Sequence, residues 1–150
     1  MNRSTKPLPA LRILEWVRPS SREQDGGAFY ISSSTTTLVA RRNILFDGNS
    51  AEDDGGGIYI SESKLELTDG VFVRSNHAAD EGGGFFLDEG TVVMRRNCTI
   101  ALNSAQDGGA AVLRTISSME LSDSVRVVEN TAEDDGGAFW LRDISSLFAR

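Results

Sequence analysis

An acidic residue stands directly before a glycine pair five times, at Asp25, Asp54, Glu81, Asp107 and Asp135, and Asp53, Asp80 and Asp134 place a second acid beside three of them. Carboxylate oxygens are the ligands calcium prefers, at about 2.3–2.6 Å. If these positions stack one above another, Asp54, Glu81, Asp107 and Asp135 could share calcium ions between neighbours, and each ion would relieve like-charge repulsion. The competing reading is a solvated turn, in which Asp before Gly bonds its side chain to nearby backbone and keeps the surface charged. The GGxGxDxUx nonapeptide in which β-roll calcium sites are written does not occur.

A second set follows the glycines. Tyr30, Tyr59, Phe86 and Trp140 each stand three residues after the second glycine, and Val112 holds the remaining place. Their neighbours, such as Phe29 and Ile31 or Phe85 and Leu87, are consistently apolar and are assigned inward, which turns the aromatic column outward. An outward aromatic stripe could stack on sugar rings or on a host or cell-surface protein. The alternative is an aromatic ladder favoured by cross-strand packing alone. No catalytic residue emerges. His77 is the single histidine and has no recurring partner, and the single cysteine, Cys98, reads as a core thiol and excludes a disulfide framework.

These columns exist only if the chain repeats, and it does. Asn49-Ser50-Ala51, Asn76-His77-Ala78, Asn103-Ser104-Ala105 and Asn130-Thr131-Ala132 recur at a spacing of 27. Each unit is rich in Thr, Val, Ile and aromatics and shows alternation such as Leu65-Glu66-Leu67, so strands fit and helices do not. Three short strands are expected per unit, about residues 57–61, 64–68 and 71–74 in the first complete copy. Asn43, Gly70, Asn97 and Ser124 mark one turn, where Asn and Gly tolerate left-handed backbone angles. Stacked units of this kind form a parallel β-helix, in which residues 27 apart are vertical neighbours about 4.8 Å apart. Asn49, Asn76, Asn103 and Asn130 then stack their amides into a turn-stabilising column, and Arg42, Asp69, Arg96 and Asp123 form a ladder of alternating charge. The small Ala51, Ala78, Ala105 and Ala132 point inward where the coil is tight.

The Gly-Gly-Ala-Phe and Gly-Gly-Gly-Ile tetrapeptides, alternating with Phe46-Asp47-Gly48-Asn49 and its relatives, resemble the paired GGA[ILV] and FxxN motifs of chlamydial polymorphic outer-membrane proteins. The resemblance covers about residues 24–150, although only one FxxN keeps its Phe. It implies a right-handed β-helix, a surface or extracellular setting and adhesin-like behaviour; with the repeats, the expected fold is a single-stranded, pectin-lyase-like solenoid of about five coils. Adhesion has no residue signature that carries over.

The remaining expectations concern class and ends. Fifteen basic against 22 acidic residues give a net charge of −7, which disfavours nucleic acid, since phosphate binding needs a basic face. Apolar runs are too short for a membrane-spanning helix, and residues 1–23 carry no secretory signal pattern. That basic segment is expected to act as an N-terminal cap, with Leu8, Leu11, Leu14, Trp16 and Val17 on a short amphipathic helix, or else as a linker or misread start. The repeat domain is expected to span 24–150 and to be truncated at its C-terminus, with end-to-end stacking open to an uncapped edge. The expected function is a non-catalytic binding or scaffold module without a cofactor, apart from the calcium considered above. A polysaccharide lyase or glycoside hydrolase is the alternative, but nearly every acid belongs to a repeated column and nothing in the sequence singles out one rung.

Overall fold

The glycine pair determines how each coil closes. Its first member has a positive φ at Gly26, Gly55, Gly82, Gly108 and Gly136, between 62° and 69°, a conformation that costs other residues roughly 1–2 kcal/mol. In the first four pairs the second member lies against two backbones at once: a Cβ on Gly83 would come within 2.4 Å of the Ser104 carbonyl oxygen and 2.6 Å of that of Gly109. Only a residue without a side chain lets the turn lie this close to the strand above it.

The computed structural model describes residues 24–32 and 37–150. The basic segment 1–23 and its expected helical cap lie outside them. Every strand pairing among the described residues is parallel, and four sheets run up the molecule. The first contains Phe29–Ser32, Ile58–Ser61, Phe85–Asp88, Ala111–Arg114 and Phe139–Leu141, and the second contains Thr37–Arg41, Lys64–Thr68, Thr91–Arg95, Ser118–Ser122 and Ser146–Ala149. The third holds Leu45–Asp47, Phe72–Arg74, Thr99–Ala101 and Arg126–Val128. The fourth holds the two-residue strands Ser50–Ala51, His77–Ala78, Ser104–Ala105 and Thr131–Ala132. The fold is thus an all-β parallel solenoid of about four turns plus the first strands of another. A fourth strand joins the three expected per coil, because the Asn-x-Ala tripeptide continues the backbone ladder after the bend instead of ending it: His77 N–H donates to Asn49 O and Ser104 N–H to Asn76 O, each at 2.9 Å.

Register follows the 27-residue period in the third and fourth sheets, as in Leu45↔Phe72 and Ser50↔His77. It slips in the first, where Phe85 pairs with Ala111 and Ala111 with Phe139. One residue fewer between the fourth and first sheets in that coil is offset by one more after Arg114, so that Thr91 again pairs with Ser118.

Inward residues alternate with outward ones on each strand. Ile58, Ile60, Leu65, Leu67, Val73, Phe85, Leu87 and Ile100 are completely or almost completely buried. Phe46 meets Phe29 edge to face at 5.7 Å between ring centres, a favoured aromatic geometry. Cys98 is buried in this core, with its thiol 3.0 Å from Arg95 O. The second-to-third corner is a pair of left-handed residues in each coil: Arg42 and Asn43, Asp69 and Gly70, Arg96 and Asn97, Asp123 and Ser124.

Candidate binding face and acidic corner

The outer face of the first sheet carries the aromatic column. Tyr30 stacks on Tyr59 at 4.8 Å with an interplanar angle of 14°, and Tyr59 on Phe86 at 4.9 Å and 21°. The rings cross between strands in direct register, Tyr30 opposite Tyr59 and Tyr59 opposite Phe86. Exposure falls along the column. Tyr30 is 52% exposed and Phe86 only 2%. Phe86 stays outside the core cluster but is covered, because the Arg114 guanidinium lies 5.3 Å above its ring. Val112 is buried on the same face, and above it Arg142 sits 4.7 Å over half-buried Trp140. Burial, aided by the charge of Asp25, pushes the Tyr59 phenol up to about 12.

Beside this column opens a cleft of about 340 Å³ lined by Asp54, Tyr59, Phe86, Asp88, Arg114, Thr115, Arg142 and Asp143. The outward position next to the aromatics changes chemistry from coil to coil: Ser32 faces Ser61, Ser61 faces Asp88, and Asp88 faces Arg114. Hydrogen-bonding groups of both signs therefore surround an aromatic floor.

The acids before the glycines stack at the corner that feeds this sheet. Their backbones form a ladder in which Gly26, Gly55, Gly82 and Gly108 N–H donate to the carbonyls of Asp54, Glu81, Asp107 and Asp135, each at 2.9 Å. Their side chains do not stack like for like. Asp54 Oδ1 accepts from Glu81 N–H at 3.1 Å, and Asp107 Oδ1 from Asp135 N–H at 2.8 Å. The carboxylates thus reach the backbone of the next coil rather than their own turn.

Glu81 stands apart from the other acids. It is 4% exposed, its Oε1 pairs with Arg114, and Arg142 Nη1 lies 3.7 Å away. Glu81 Oε2 and Arg114 Nε are buried without a hydrogen-bond partner. Burial raises the Glu81 carboxyl above its ordinary range, with Arg114 opposing. Burial, then the charge of Glu81, pushes Asp54 up to about 7. The acidic positions, alike in sequence, are unlike in structure. Arg114 and Arg142 had no place in the sequence reading because their contacts to Glu81 cross a corner instead of following the repeat. The one available signal was the break in pattern where Asp88 meets Arg114.

The asparagines form a hydrogen-bonded column. Nδ2 of Asn49, Asn76 and Asn103 donates to Oδ1 of the next Asn at 2.7, 2.9 and 2.8 Å, and each Oδ1 also accepts the backbone N–H of the Asn before it. Asn49, Asn76 and Asn103 are buried. His77 is exposed in the fourth sheet, 3.0 Å from Ser104 Oγ one coil away.

A stacked parallel solenoid with a ladder of buried amides at one corner and of glycine pairs at another is a β-helix repeat protein. The repeat of the Chlamydia polymorphic membrane proteins matches residues 43–61, which include Phe46-Asp47-Gly48-Asn49 and the following glycines. No curated protein and no solved structure matches the chain significantly. No helix among the described residues is long and apolar enough to cross a membrane.

Proposed function

We propose that this chain is a non-catalytic β-helix repeat module displayed at a cell surface, and that it binds glycan along the outer face of its first sheet. The observation that carries this reading is the stacked Tyr30 and Tyr59 pair, the accessible end of the aromatic column, beside a cleft that offers Asp54, Asp88, Asp143, Thr115, Arg114 and Arg142. Sugar rings present an apolar face to aromatic side chains and a rim of hydroxyls to carboxylates and guanidinium groups, and the cleft combines both. The match to a membrane-protein repeat favours the surface setting. Asp54 and Glu81 are engaged in bonds between coils and to Arg114, which favours a binding role for the face over a catalytic one.

A glycan array tests this directly. The wild-type chain is expected to bind a subset of glycans, and Tyr30→Ala with Tyr59→Ala to weaken that binding at least tenfold while the fold remains. Absence of glycan binding, or binding indifferent to both tyrosines, sinks the proposal, and capture of a protein ligand on the same face would redirect it. One observation favours an acidic-polysaccharide lyase or hydrolase as a second reading: Asp54, pushed up to about 7, shares the cleft with two arginines. Release of unsaturated or newly reducing sugar ends on incubation with polyuronates would establish it.

A further inference from the structure

Asp80, Glu81 and Asp107 converge where the register of the first sheet slips. One carboxylate oxygen from each lies within 4.8 Å of the others, and Glu81 and Asp107 form a backbone bridge between coils. An acidic cluster of this kind is common on surfaces, but this one contains a carboxylate that solvent does not reach. Glu81 is 4% exposed, and its Oε2 is buried without a hydrogen-bond partner, a state that costs free energy. The neighbouring arginines pair with Oε1, which leaves Oε2 without a hydrogen bond.

We propose that Asp80, Glu81 and Asp107 bind one calcium ion, clamping the second coil to the third at this corner. The donor set suits a hard divalent cation, with carboxylate oxygens from adjacent coils and exposed Asp80 on the solvent side to admit water as the remaining ligands. Asp107 Oδ1 also holds the Asp135 amide, which ties this ligand to the coil above. The site involves a single rung rather than a continuous column, because among the described residues only Asp80, Glu81 and Asp107 bring three carboxylates this close together. Neither Asp80 nor Asp107 lines the glycan cleft, and Glu81 touches it only through Arg114 and Arg142.

Isothermal titration with calcium chloride on the full chain after chelation tests the proposal, with thermal unfolding as the second measurement. Saturable binding of one ion per chain is expected, with a rise in Tm of roughly 5 to 10 °C at a hundredfold excess over Kd. Asp80→Asn alters an exposed side chain, so it should leave Tm without calcium unchanged and weaken calcium binding at least tenfold. Asp123→Asn, on the second-to-third corner, should bind like the wild type. Absence of saturable heat in the wild type would mean that the arginines alone balance Glu81 and would overturn the proposal, as would Asp80→Asn and Asp107→Asn variants that bind calcium normally.

Discussion

Two corners of the same coil, the asparagine corner and the acidic corner, each repeat one side-chain type up the axis, yet only one of them repeats cleanly. The asparagines follow at 27, 27 and 27, whereas the acids from Asp54 to Asp135 follow at 27, 26 and 28. The difference lies in what each group can do for its own copy. An amide is donor and acceptor at once, so Asn76 donates to Asn103 while accepting from Asn49, and identical residues satisfy one another without limit. A carboxylate only accepts. Stacked on itself it repels, and it must borrow donors: the Glu81 amide for Asp54, the Asp135 amide for Asp107, and two arginines for Glu81. A column of one residue type is stable in a solenoid when that residue is complementary to itself, and otherwise each rung finds its own partner.

The largest effect is expected where the acidic corner is as unforgiving as the other, in its backbone. Gly83→Ala would place a methyl group within 2.4 Å of Ser104 O and 2.6 Å of Gly109 O, with backbone on both sides and nothing flexible to yield. A loss of about 4 kcal/mol is expected, a large part of a typical domain's stability, measurable by denaturant unfolding. Gly48→Ala sharpens the point, because Gly48 has a φ of 69° but open space around it, and only the left-handed penalty of about 1 kcal/mol should appear. Equal costs at the two glycines would show that crowding is not what the glycine pair relieves.

Exchanging the chemistry of the two columns comes next. Asn76→Asp removes the Nδ2 donor that serves Phe46 O and Asn103 Oδ1 and puts an acceptor, or a buried charge, against both. A cost of about 3 kcal/mol is expected. The reciprocal change, Asp54→Asn, keeps an Oδ1 to accept from the Glu81 amide and removes a charge that burial and Glu81 both oppose. It should stabilise by about 0.5 kcal/mol. Opposite signs for these two isosteric swaps, read as shifts in unfolding midpoint, are the signature of the comparison, and the same sign for both would break it.

The asparagine corner was legible in the sequence because its partners are copies of itself, so a period of 27 states both position and partner. The inward alternation of Leu65 and Leu67, or of Phe85 and Leu87, was legible for the same reason. Burial of the column was less so, since Asn next to Ser or His reads as an exposed bend, and the two-residue strand His77–Ala78 is shorter than any periodicity can reveal. Most of the site escaped notice because its contacts link unlike residues. Arg114 reaches Glu81 over 33 positions, and this separation depends on how the chain bends at a corner. The covering of Phe86 follows from the same arginine, so the outward column is open at Tyr30 and closed two coils away.

A third corner supplies the weakest test, and the most discriminating one for charge. Arg42, Asp69, Arg96 and Asp123 alternate in sign, which is the other way for charged residues to stack, and Arg96 Nε meets Asp69 Oδ1 at 2.6 Å. Both side chains are well exposed, so water screens the pair and its contribution falls at or below about 1 kcal/mol. Arg96 also holds Thr68 Oγ1 at 2.8 Å and would keep that bond if its partner lost its charge. Asp69 has a φ of 66°, a left-handed angle that Asn accepts readily. Asp69→Asn should therefore cost about 0.3 kcal/mol at low salt and nothing measurable near 1 M salt, where the screening length falls to about 3 Å. It is the same substitution as Asp54→Asn with the opposite sign, because the charge removed here is attracted by its neighbour and there it is repelled. A cost that persists undiminished in high salt would show that the ladder acts through geometry instead of charge.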